Sequence, residues 1–165
     1  MAALKQKGDL AELKVAADLL QRGCHLSFPY GEDCDYDLIA DMKGILHRVQ
    51  VKYTESDGEV ISLRCQSHSL TNGHIRQTKH YTAKIVDWIA VYDRTSDCCY
   101  YLSAKELGTG RSQLHLRLVP ARNGQQVGIR RASDYAEPDL QVDPRMEPAG
   151  LEPAASAVQG RRSSS

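Results

Sequence analysis

The sequence predicts an α/β domain with a mixed β-sheet flanked by helices, in the order helix, three strands, helix, further strands. Two observations carry this. Leu10, Leu13, Ala17 and Leu20 recur at helical spacing ahead of Gly23, a natural C-terminal stop. After them, short runs with strand-like patterning alternate with turn residues. The early strands are joined by hairpin turns, which makes that part of the sheet antiparallel.

Taken in order, the first helix runs from about Asp9 to Arg22, and Tyr30-Gly-Glu-Asp is a turn. Asp37-Leu-Ile-Ala-Asp is a short strand, Met42-Lys-Gly a turn, and Ile45–Tyr53 an alternating second strand. Glu55-Ser-Asp-Gly turns into a third strand, Val60–Cys65. Residues 74–84 lack a marked apolar stripe but are compatible with a helix. Val86–Tyr92 and Cys99–Leu102 read as strands around Arg94-Thr-Ser-Asp, with weaker strand candidates at 114–119 and 127–131. From Glu137 onward the chain holds four of its six prolines, loose Ala and Ser, and a closing Gly-Arg-Arg-Ser-Ser-Ser. The expected organisation is therefore one domain, 1–136, and a disordered tail, 137–165.

Composition narrows the function classes. No apolar run approaches the ~20 residues needed to span a bilayer, and the start has no secretory apolar stretch, so no membrane partner is expected. Five cysteines (24, 34, 65, 98 and 99) without a CxxC pair favour reduced thiols and a cytoplasmic location. The 21 basic and 21 acidic residues cancel, which at first argues against a nucleic-acid partner. The tail takes five acids but only three arginines, so the body keeps 18 bases and 16 acids, a net of about +2. Within the body, segments 42–53, 64–84 and 111–131 contain bases and no acid. Neutrality overall does not extend to every face.

The most informative constellation lies on the first two strands. Gln50 and Lys52 share one face of their strand, and Asp37 stands at a similar distance on the other side of the Met42–Gly44 turn. A carboxylate, an amide oxygen and an ammonium would then converge at one end of a hairpin. A hard divalent ion such as Mg²⁺ favours such oxygens, and a lysine beside it orients or helps deprotonate an attacking water. Each piece has an ordinary reading too. Acids next to turns are common, and a Gln-x-Lys pair often marks a solvated strand face.

A helix containing Glu12, then Tyr36-Asp37-Leu-Ile, then Gln50-Val-Lys52, resembles the PD-(D/E)xK nuclease superfamily over residues 5–105. It is most similar to the small bacterial group I intron-encoded homing endonucleases, in which Gln commonly replaces the (D/E) acid, and next to Holliday junction resolvases. The resemblance implies a restriction-endonuclease-like core, with Trp88–Tyr92 as a core strand. It implies an Mg²⁺-dependent DNA endonuclease, with Mn²⁺ as a substitute, acting as a homo-oligomer (dimer or tetramer) on a long double-stranded site. It makes Asp37 the principal metal ligand, Gln50 a second ligand, the Val51 carbonyl a third, and Lys52 the water-activating residue. Glu12 would add a helix carboxylate, although Asp9-x-x-Glu12 is also capping-box spacing. Because Gln50 is neutral, metal should bind more weakly or in smaller number. A junction resolvase or repair nuclease, or an inactive DNA-binding module of the same fold, are the alternatives.

DNA binding requires phosphate neutralisation first and base contacts second. Arg76, His80 and Lys84 share one face of the expected second helix, although such a face can simply be solvated. Arg64, Lys79, Arg117, Arg122, Arg130 and Arg131 are further candidate phosphate contacts, and Arg122–Gln126 is a polar turn able to offer groups to base edges. The spacing of Cys65, His68, His74 and His80 fits no common zinc module. Cys34 has no base placed beside it in sequence, so it is set aside as a nucleophile.

Overall fold

The computed structural model describes residues 2–31, 34–71, 74–121 and 124–138, without the side chains of 2–3, 68–71 and 74–77. Helix α1 (Ala2–Gln21) is followed by strands β1 (His25–Ser27), β2 (Leu38–Met42), β3 (Ile45–Thr54), β4 (Val60–Arg64), β5 (Gln66–Thr71), β6 (His74–His80), β7 (Trp88–Asp93), β8 (Cys98–Ser103) and β9 (Gln113–Arg117). Single 3₁₀ turns lie at Ala104–Leu107 and Ala132–Tyr135. The main sheet has the order β1-β2-β3-β7-β8, antiparallel except for the central parallel pair β3–β7. Two-stranded ribbons β4–β9 and β5–β6 complete the fold. The mixed sheet expected from the hairpin turns is present.

Side-chain alternation divides the core into two layers. Val49, Val51, Trp88, Ala90 and Tyr92 face α1, together with Leu38, Ala40 and Met42 of β2. On the opposite face, Ile89, Val91 and Leu102 pack against Ile61, Leu63, Leu114 and Leu116 of the β4–β9 ribbon. Strand β7 is buried throughout, as a central strand covered on both faces should be.

Helix α1 ends where Gly23 predicts. Gly23 is left-handed (φ 83°), and the Cys24 amide donates back to the Leu19 carbonyl at 3.1 Å, a C-terminal cap that favours glycine. Its buried face is not the expected one. Ala11, Val15, Ala16 and Leu19 meet the sheet, while Leu13 and Leu20 are 69% and 57% exposed and Leu10 and Ala17 also face solvent. The helix carries two apolar arcs, and spacing alone does not choose between them. The arc with Ala11 and Ala16 lets the backbone approach the sheet closely. The helix also begins at Ala2, well before Asp9, so Asp9 is no N-cap and the capping-box reading of Glu12 fails.

The second helix expected over 74–84 is absent. Residues 74–80 form β6, paired antiparallel with β5. Without an apolar stripe a helix there has little to bury, whereas pairing with β5 satisfies the backbone. The shared helical face of Arg76, His80 and Lys84 therefore does not exist, and Lys84 lies beyond the strand. The candidate strand at 127–131 reduces to one bridge, between Arg131 and Arg117. Of the expected tail, residues 139–165 lie outside the described part of the chain.

Candidate metal and nuclease site

A two-residue turn sets the geometry of the site. Lys43 and Gly44 both have positive φ (54° and 87°), and the Gly44 amide donates to the Asp41 carboxylate at 2.9 Å. Such a turn fixes the β2–β3 register, pairing Leu38 with Val49. One step further, the Asp37 amide donates to the Val49 carbonyl at 2.9 Å, which brings Asp37 beside Gln50.

The Asp37 carboxylate accepts from the Val51 amide at 2.6 Å and from the Gln50 side-chain nitrogen. That nitrogen also donates to the Val51 carbonyl at 3.2 Å. A carboxylate oxygen and a backbone carbonyl oxygen thus converge on one donor. Turning the Gln50 amide would add its own oxygen to the same place. Lys52, two residues along on the same face, is half-buried and donates from Nζ to the Tyr81 hydroxyl at 3.1 Å.

Glu12 comes from α1 and is half-buried. Its carboxyl is raised above the usual range by burial, then by the Asp37 charge and by Asp9. Asp37 is also raised, because burial outweighs the Val51 amide, the Lys52 charge and the Gln50 hydrogen bond that oppose it. Both carboxyls line a cleft of about 380 Å³ with Phe28, Pro29, Gly31, Cys34 and Tyr36. Two carboxylates that hold protons too tightly, beside convergent neutral oxygens, form a donor set that a hard cation would relieve. No cluster of three or more His, Cys, Asp or Glu side chains positioned for a metal occurs among the described residues. Any ion here would rely on the Val51 carbonyl and the Gln50 amide as well.

The comparisons with known proteins follow the same lines. A family model described as PD-(D/E)XK endonuclease matches residues 2–138. The chain belongs to the PD-(D/E)XK endonuclease family. Its fold is similar to that of a solved bacterial homing endonuclease, I-Ssp6803I, with a TM-score of 0.63 and 25% identity, over 79% of this chain and 86% of that one. No curated protein matches. The fold is restriction-endonuclease-like, with α1 packed on a five-stranded mixed sheet.

The basic residues of this PD-(D/E)XK endonuclease are in varied settings. Arg64, Lys84 and Arg131 are exposed, and Arg117 is half-buried. Lys79 is paired with Asp35, two residues before Asp37. Arg130 is engaged by Glu106 at 3.2 Å. His80 is half-buried, with its Nδ1 enclosed and unpartnered, and it packs so closely on Gly110 that a Cβ there would lie 2.8 Å from its own. The Arg76 side chain and Arg122 lie outside the described residues, as do the side chains of His68 and His74. No helix among the described residues is long and apolar enough to cross a membrane.

Sequence reasoning missed Tyr81 and the Lys79–Asp35 pair at the site, and Asp93 beyond it at the far end of the β3–β7 pair. Tyr81 and the Lys79–Asp35 pair reach the site from the end of strand β6, which the sequence reads as helix. Asp93 is fully buried at the end of β7 and accepts from the Ser56 and Ser96 backbone and hydroxyl groups at 2.8–3.1 Å. It holds the loop after β3 against the sheet. The run Tyr92-Asp-Arg-Thr-Ser offers only an ordinary turn signal for it.

Proposed function

We propose that this PD-(D/E)XK endonuclease hydrolyses DNA phosphodiesters with Mg²⁺ or Mn²⁺, as a homing endonuclease acting on a long double-stranded site. The observation that carries the reading is the convergence of Asp37, Gln50 and Lys52 where β2 meets β3, with Glu12 on the same cleft. Asp37, the Val51 carbonyl and a turned Gln50 amide would hold the ion, with Glu12 contributing from the helix. When bound, the ion supplies Lewis acidity at the scissile phosphate and favours deprotonation of a water.

The chain's own groups do the rest. Asp37 is held by the Val51 amide, so its free lone pairs keep a fixed direction. Lys52 places a positive charge near the carboxylates, where it orients the attacking water and offsets charge developing at phosphorus. Gln50 contributes no charge, so the site carries one anion fewer than an Asp or Glu there would give. Exposed Arg64, Lys84 and Arg131, with Arg117, supply phosphate contacts, which makes binding fall steeply with salt.

One subunit covers only part of a long duplex site, so a homo-oligomer is part of the proposal. The solvent-facing Leu10, Leu13, Ala17 and Leu20 stripe of α1 is apolar surface that a second copy would cover.

The test is cleavage of supercoiled, linear and branched DNA in Mg²⁺ or Mn²⁺. Cleavage should vanish in Asp37→Ala and Lys52→Ala while DNA binding persists. If the wild-type protein cuts none of the three substrates, the chain is a binding module. If it cuts only branched DNA, it is a junction-selective nuclease.

A further inference from the structure

The geometry points to Tyr81 as a positioning residue for Lys52, and this inference rests on the catalytic role proposed for that lysine. Lysine is a poor choice for fixed geometry. Its ammonium sits on a four-carbon stem with three rotatable donors, and a charge displaced by an ångström stabilises the wrong place. Something must hold it.

Tyr81 is built to do so. It is 4% exposed and belongs to the buried core layer that includes Ile61, Leu63, Ile89 and Val91, so its ring has little freedom. Its amide donates to the Cys65 carbonyl at 3.0 Å, which fixes the backbone where β6 ends. From that anchored ring the hydroxyl accepts from Lys52 Nζ at 3.1 Å, and the ammonium lies 4.7 Å from the ring centroid. Packing explains a buried aromatic ring at this position, and phenylalanine would serve it equally. The hydroxyl is accounted for by the ammonium it meets.

The same short stretch of chain makes a second contact with the site. Lys79, two residues before Tyr81, pairs with Asp35, two residues before Asp37. The base of the β5–β6 ribbon therefore touches both the lysine and the loop that carries the metal-binding aspartate. Tyr81 fixes where the Lys52 charge stands relative to Asp37 and takes no part in bond making.

The test compares Tyr81→Phe, Lys52→Met and the double variant for cleavage of supercoiled DNA in Mg²⁺, with DNA binding measured separately without metal. Removing an acceptor from a charged donor should lower kcat about ten-fold or more, with KM, DNA affinity and melting temperature unchanged. In the Lys52→Met background, where cleavage is already lost, Tyr81→Phe should change neither DNA affinity nor melting temperature. Should Tyr81→Phe unfold the protein when Lys52 is present but not in the Lys52→Met background, the coupling stands. An unchanged kcat in Tyr81→Phe, or unfolding in both backgrounds, overturns the inference. If Lys52→Met itself cuts normally, the catalytic reading of Lys52 fails instead.

Discussion

The Gln50 amide donates to the Asp37 carboxylate across the β2–β3 pair, and the same nitrogen lies 3.2 Å from the Val51 carbonyl oxygen. A neutral donor thus stands where an acidic residue would repel Asp37. In Gln50→Glu the donor is lost and a like charge is added beside a half-buried carboxylate. The metal-free variant should be about 1–3 kcal/mol less stable than wild type. Mg²⁺ or Mn²⁺ should restore that loss and bind about ten-fold more tightly, because the site gains an anionic ligand. Melting with and without metal measures both effects, and equal metal-induced shifts in the two proteins would count against a metal at this place.

Glu12 and Asp37 give a pH dependence of known sign. Both carboxyls are raised in the folded state, so the fold holds their protons more tightly than the unfolded chain does. Their destabilising effect is absent at acid pH and grows as pH climbs from the ordinary carboxylate value, about 4, through the raised values. Glu12→Gln removes one of the pair. Without metal it should melt at a higher temperature than wild type at neutral pH, and the gap should shrink on acidification. Cleavage should fall at least about ten-fold at the same time. A lower melting temperature at neutral pH would show that Glu12 is stabilising.

Asp93 has the opposite sign. Burial alone would push its carboxyl up, but the Ser56 and Ser96 hydrogen bonds pull it below the usual range. It therefore adds stability above the ordinary carboxylate pH, and that stability is lost as pH falls through the lowered value. Asp93→Ala leaves several donors unmatched at a fully buried position. The expected cost is about 2–4 kcal/mol, read as a fall of about 10 °C in melting temperature. Asp93→Asn, which keeps one acceptor oxygen, should lose less.

The exposed stripe of α1 bears on assembly. Leu13→Glu with Leu20→Glu alters side chains that touch little of the core, so stability of the single chain should change by about 0.5 kcal/mol or less per site. Sedimentation should show wild type as an oligomer and the double variant at single-chain mass, with cleavage of a long site reduced. An oligomer that survives the double substitution would place its interface elsewhere.

Much of the site was legible because it depends on short-range geometry. A two-residue turn and the two-residue period of strands suffice to bring Asp37 beside Gln50 and to put Lys52 on the same face, and both are written in residues 37–52. Helix α1, its Gly23 stop and the hairpin-joined early strands are local in the same sense.

The tertiary structure decided what local pattern leaves degenerate. Helix α1 has two apolar arcs, and the sheet took the one whose alanines permit close approach. Residues 74–80 are compatible with helix by composition, but the backbone partners offered by β5 made them a strand. That choice put Tyr81 against Lys52 and Lys79 against Asp35, contacts spanning 29 and 44 residues of sequence. Glu12 lost its capping-box reading because the helix starts seven residues before Asp9. Sequence by itself thus determined the β2–β3 hairpin and the meeting of Asp37 with Gln50 on it. The long-range packing determined which charges that pair meets, since burial and distance exist only once distant segments are brought together.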